Sequence, residues 1–192
     1  MRTSVILKEI LPFYASLAAL IGSAVVLDLL LHVAGAVWIG RYLGVPGVLL
    51  ILASFGHSLR KRKIIAVGHP LLFMRLHEWL AWIGSLLVLV HAGIHFNGVL
   101  PWLAVLAMLA NMTSGLTGKY LLMRVQRSLI EQRTRLRDRG VSEAEVEERL
   151  YWDSLAFDLV RQWRKVHVGV AASFAVLATA HIVAVFMFWG WR

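Results

Sequence analysis

The sequence predicts an all-α membrane protein: one domain over residues 1–192 with five transmembrane helices. Three observations predict it. The first is composition: 59% of the 192 residues are apolar and mean hydropathy is +0.69, above the half or so usual for a soluble domain. The second is a series of apolar runs near the 20 residues that cross a bilayer's hydrocarbon core. The third is where the charge falls. Twenty Lys and Arg oppose 11 Asp and Glu, for a formal charge of +9. The basic residues cluster between the apolar runs, the pattern of a membrane protein and not of a nucleic-acid binder. No cysteine occurs, which excludes disulfides, cysteine-ligated iron–sulfur clusters, attachment through a CxxCH motif and thiol catalysis. The start, "MRTSVILKEILPFY", carries no cleavage pattern and is expected to be retained.

Span one is expected at 12–33, "PFYASLAALIGSAVVLDLLLHV", with one acid, Asp28. Span two, 42–58, is shorter, and Pro46 marks its start or a kink. Span three covers 76–96 and span four 101–122. Pro101 suits a first helical turn, and "NG" at 97–98 suits the tight turn before it. Span five covers 166–188. With the N-terminus on the cytoplasmic side, eighteen Lys and Arg fall inside: Arg2, Lys8, the "RKRK" at 60–63, Arg75 and eleven more from Lys119 to Lys165. Only Arg41 and Arg192 fall outside. Five spans with N-in and C-out is the parity that satisfies the positive-inside rule, and Trp102, Trp189 and Trp191 then lie at outer boundaries. The expected location is a bacterial inner membrane.

The connection 123–165 is of different material and predicts a cytoplasmic helical hairpin. "LLMRVQRSLIEQRTRLRDRG" continues the fourth helix into water as far as Gly140. "SEAE" at 142–145 reads as a capping box, with Ser142 closing the amides and Glu145 reaching back. A second helix then runs to about Arg164. The hairpin is either a solvated connector or a docking surface for a cytoplasmic partner.

Eight histidines occur, at 32, 57, 69, 77, 91, 95, 167 and 181. His77 and His91 are fourteen residues apart, and so are His167 and His181. Four helical turns need about 14.4 residues, so each pair shares a helix face with its rings roughly 21 Å apart along the axis. Spans three and five are separated by one returning span and must run in the same direction. His77 and His167 are then level near the inner face, His91 and His181 near the outer. A porphyrin between two such helices takes one imidazole from each side of its iron, and this arrangement supplies that twice. Two b-type haems with bis-histidine ligation are expected, His77 and His167 on the inner iron, His91 and His181 on the outer. Ligation also meets the cost of imidazole in hydrocarbon: iron takes one nitrogen, and a carbonyl or hydroxyl takes the other and fixes the tautomer. Small residues, Gly84, Ser85, Ala92 and Gly93 on one helix and Gly169, Ala171, Ala172, Ser173 and Ala178 on the other, either leave room for the macrocycle or let helices approach. A histidine-lined path for protons or a metal ion is the competing reading.

The stretches "HEWLAWIGSLLVLVHAGIHF", "SGLTGKYLL" and "RQWRKVHVGVAASFAVLATAHIV" resemble the four-helix haem core of membrane cytochromes b. The quinol-oxidising bc complexes and the ferric reductase and NADPH oxidase transmembrane domains carry such a core, and small bacterial diheme cytochrome b subunits are the most similar. The resemblance covers about 76–183. It implies that His77, His91, His167 and His181 are axial ligands. The flavin and nicotinamide domain of the ferric reductases has no counterpart here.

Arg75, Lys119, Arg164 and Lys165 at the inner ends of these helices are candidate contacts for haem propionates, or ordinary boundary charge. Glu78 is a candidate partner for one of them. His95 is one turn beyond His91, His57 and His69 are candidate quinone contacts or inert boundary residues, and Asp28 with His32 is a candidate proton site or a structural pair. The expected function is that of a membrane cytochrome b subunit of a bacterial electron-transfer complex. It would carry electrons between a quinone or a cytoplasmic iron–sulfur or flavin partner and an acceptor on the periplasmic face. The alternatives are a haem-free membrane anchor or proton- or metal-conducting small transporter, and a self-sufficient quinol-dependent reductase.

Overall fold

The computed structural model describes residues 11–94 and 98–188, with the side chains of all of these but Lys61, 121–126, 152–154, 156–161. His95, Asn97, Trp189, Trp191, Arg192 and the N-terminal Arg2 and Lys8 lie outside the described residues. Those described form helices and turns only: α1 (Leu11–Val33), α2 (Val37–Tyr42), α3 (Gly44–Ser54), α4 (Gly56–Lys61), α5 (Pro70–Ile94), α6 (Val99–Thr117), a π-helical turn (Gly118–Leu122), α7 (Met123–Asp138), α8 (Glu143–Arg149) and α9 (Tyr151–Phe188).

Five helical stretches are long and apolar enough to cross a membrane: Leu11–Val33, Val37–Arg60, Pro70–Ile94, Val99–Tyr120 and Gln162–Phe188. No more than 17% of any of them is buried within the protein. Large apolar side chains such as Val25, Leu30, Leu49 and Phe186 face outward. Exposure of that extent is untenable in water and suits a lipid solvent, where all backbone groups are satisfied inside the helices.

The second span differs most from expectation. It begins at Val37, before the expected residue 42, and breaks at Leu43 and Phe55 into α2, α3 and α4. Pro46 explains the first break. It has no N–H to offer the carbonyl of Tyr42, and the ladder resumes with Gly47 N donating to Leu43 O at 3.0 Å. At the second break, Ser58 N donates to Phe55 O (2.8 Å), the tighter i to i+3 pattern.

The spans pack in a consistent order. α3 packs most extensively on α5, and α1 also lies on α5; α6 packs on α9. The α3–α5 crossing is set by two glycines: a Cβ on Gly84 would lie 2.8 Å from the carbonyl oxygen of Gly47, and one on Gly47 would lie 3.0 Å from that of Gly84. Close backbone approach through small residues is a common membrane solution. Gly84 therefore serves helix approach, not room for a macrocycle, and Gly93 faces the Asp28 carboxylate of α1.

The connection after span four does fold as two helical arms. Gly140, at φ +75°, supplies the left-handed turn that ends α7. Ser142 Oγ accepts from Glu145 N at 3.4 Å, the first half of the capping box. The second half is replaced: Glu145 accepts from Arg149 (2.5 Å), while Arg137 clamps Glu143 across the turn through two bonds of 2.6 and 2.9 Å. The guanidinium holds the Glu143 carboxyl below its ordinary range. The second arm does not stop near Arg164. After a break at Leu150 it continues as α9, one helix of 38 residues that includes the fifth span.

Candidate functional site

Helix directions follow from contacts at known levels. Ser54 meets His77 and Gly40 meets His91, so span two runs antiparallel to α5. Lys119 Nζ meets Glu78 Oε2 at 2.6 Å at the end of α5 away from its short link to α6, so α6 is antiparallel to α5. Ser114 meets His167 and, one turn on, Gly118 meets Trp163, so α9 is antiparallel to α6. Helices α5 and α9 therefore run in the same direction. His77 and His167 lie at the end that carries Lys119, Arg75, Arg164 and Lys165, the basic end; His91 and His181 lie toward the far end. Both helices are unbroken between their histidines, which preserves the shared face and the ~21 Å separation of the fourteen-residue spacing.

The second ring nitrogen has a partner at three of the four positions. His77 Nδ1 donates to the carbonyl of Ser54 at 3.1 Å, and His91 Nδ1 to that of Gly40 at 3.3 Å. A carbonyl only accepts, so both rings carry their proton on Nδ1. His167 Nδ1 lies 2.9 Å from Ser114 Oγ. Ser114 is buried, and its own carbonyl accepts from Trp163 Nε1 at 3.1 Å, tying α6 to α9 one turn either side of the ring.

The two carbonyls are available because span two is broken where it is. At the Phe55 break the amide that would bond Ser54 O goes to Phe55 O instead. At the Leu43 break Gly40 O keeps a single i+3 donor at 3.2 Å. Each defect in the helix thus offers an acceptor to a histidine of α5, with Gly47 against Gly84 midway between them. Backbone or carboxylate partners of this kind orient metal-binding imidazoles and fix their tautomer.

A residue read from the sequence as a candidate quinone contact or an inert boundary histidine joins this group. His57 on α4 donates through Nδ1 to the same Ser54 carbonyl at 2.9 Å, and its ring lies 4.2 Å from that of His77, tilted by 46°. His167 is within electrostatic reach of both. The signal that would have found it is the reflection of span two onto span three about the 62–69 loop, which sets His57 beside His77.

The remaining candidates fall as follows. Lys119 is paired with Glu78. Arg75, Arg164 and Lys165 are exposed at the basic end. His69 accepts from Leu71 N at 3.4 Å, capping the start of α5. His32 Nδ1 donates to Asp28 O at 2.8 Å and lies 3.6 Å from Asp28 Oδ1. Among the described residues, Asp28 Oδ1 and Asn111 Oδ1 are buried without a hydrogen-bond partner.

What can these residues hold? Among those described, no group of three or more His, Cys, Asp or Glu is placed to hold a metal ion. A bare transition metal takes three or four protein donors. Haem brings four of its own and takes two axial ones, and imidazoles oriented from behind by a carbonyl or hydroxyl fit that demand. Helices α5 and α9 make no extended contact with each other among the described residues. Gly169, two residues beyond His167, opens onto free space. The donor chemistry therefore suits haem at both levels. Comparison with family models, with curated proteins and with solved structures gives no match.

Proposed function

We propose that this chain is a membrane cytochrome b subunit, carrying electrons across a bacterial inner membrane through two b haems. The observation that carries the reading is the repeated fourteen-residue histidine spacing on two co-directional helices, with Nδ1 of His77, His91 and His167 already engaged. His77 and His167 would hold one haem, His91 and His181 the other. Bound there, haem supplies one-electron chemistry. The protein's own part is to hold the rings, exclude water and supply charge. Arg75, Arg164 and Lys165 set a positive field at the basic end, suited to propionates, while Lys119 is neutralised by Glu78.

The positive-inside rule makes the basic end cytoplasmic, with the N-terminus inside and the C-terminus periplasmic. A chain with no flavin or cluster ligands of its own takes electrons from something else. A cytoplasmic iron–sulfur or flavin protein, docking on the 123–165 arms, or a quinone in the bilayer would supply them, and a periplasmic acceptor would receive them. A competing reading, a proton-conducting protein, is favoured by Asp28 Oδ1, buried without a hydrogen-bond partner beside His32.

The test is haem content. Pyridine haemochrome of the purified protein is expected to give two haems per chain, and His91→Ala or His181→Ala one. A colourless wild-type protein, or variants that keep both haems, overturns the reading.

A further inference from the structure

The cluster at the basic end has one more imidazole than a haem uses. His57 and His77 donate from Nδ1 to one carbonyl, that of Ser54. Their rings lie side by side, 4.2 Å between centroids. Both therefore hang on the same side of the site, and each has its Nε2 left for a ligand. His167 is tethered to Ser114 on a different helix.

From this shared tether we propose that His57 is a reserve axial ligand for the basic-end haem, able to take the iron in place of His77. The inference rests on the haem reading above. Its basis is local: the two rings have the same tautomer and the same anchor, and they lie in contact. His57 sits on α4, a six-residue helix set off from α3 by the turn at Phe55 and ending at Arg62. The only atoms near a Cβ on Gly56 would be those of the Phe73 ring at 3.8 Å. His167 and His181 are the only histidines of α9, so that helix offers no second ring at either level.

The proposal predicts an asymmetry among single variants. Wild type carries two haems, His167→Ala one, and His77→Ala still two, both six-coordinate and low-spin by near-infrared magnetic circular dichroism. His57→Ala keeps two, and the His57→Ala, His77→Ala double variant keeps one. His77→Gln, whose amide can still donate to the Ser54 carbonyl, repeats the measurement with the link between α3 and α5 retained. A His77→Ala or His77→Gln protein that keeps the far haem, and so has folded, but holds only one haem per chain overturns the reserve role. So does a His57→Ala protein with one. A wild-type protein without haem overturns the parent reading instead, so the two failures are distinct.

Discussion

Gly84 is where the arrangement of the α5 histidines is most exposed to a single methyl group. Alanine there would set its Cβ 2.8 Å from the Gly47 carbonyl oxygen, 2.8 Å from Ile51 Cγ1 and 3.1 Å from Ile51 N. Ordinary contact begins at 3.4 Å, and backbone cannot rotate away, so α3 and α5 must part by about 0.6 Å. The bonds seven residues either side, His77 to Ser54 at 3.1 Å and His91 to Gly40 at 3.3 Å, are already long. The same displacement carries both beyond ~3.6 Å, where they cease to be hydrogen bonds. Overpacking costs ~1–3 kcal/mol, and each lost interhelical bond about 0.6 kcal/mol in a membrane setting. Alanine's helical advantage over glycine returns up to ~1 kcal/mol. The net loss is ~1–3 kcal/mol, read as a shift in the SDS-induced unfolding midpoint in mixed micelles. Gly47→Ala, which meets Val88 Cγ2 at 2.8 Å, should cost a similar amount, and the double variant less than the two together, because both relieve strain by the same separation. A Gly84→Ala protein as stable as wild type, or a fully additive pair, refutes the glycine contact as the feature that sets the register.

Two other outcomes follow from the geometry. Ser114→Ala removes the hydroxyl behind His167 but leaves the Trp163 bond to the residue-114 carbonyl. On the haem reading proposed above, affinity for haem at the basic end should fall about 10–100-fold with binding at the far end unchanged, as titrated on haem-depleted protein, and Ser114→Thr should restore it. The Arg137–Glu143 clamp gives the hairpin turn a pH dependence. Because the folded carboxyl is held below its ordinary value near 4.5, the clamp is fully present above that value and is lost as pH falls through the lower folded one. Amide protection factors over 139–146, corrected for the intrinsic pH dependence of exchange, should fall below about pH 4.5 in wild type and stay level in Glu143→Gln.

Much of this architecture was legible because it is periodic or electrostatic. The five spans follow from run length, and the fourteen-residue spacing lands on two unbroken helices because nothing between His77 and His91, or between His167 and His181, interrupts the ladder. What escaped the sequence is tertiary or lies at helix defects. Residues 37–41 fall outside the expected span two because Arg41 dilutes their hydropathy, yet at a helix end that charge is tolerable. Ser54 and Gly40 matter through their carbonyls, which every residue has, so no side chain advertises them. His57 looked like a boundary histidine until the fold of span two onto span three brought it against His77. Glu145 fitted a capping pattern, but Arg149 one turn later competes for it with full charge.

The unbroken course of α9 has a mechanical consequence. Thirty-eight residues at 1.5 Å each make a rod of about 57 Å, and it holds both His167 and His181 with no hinge between them and Tyr151. The helix is interrupted at Leu150, between α8 and α9, and nowhere from there to Phe188. A load applied at the Tyr151 tip of that rod is levered about its seat on α6, near Ser114 and Trp163, and displaces His181 further than His167, which sits beside that seat. Whatever leans on the hairpin thereby acts on both histidines of the fifth span at once.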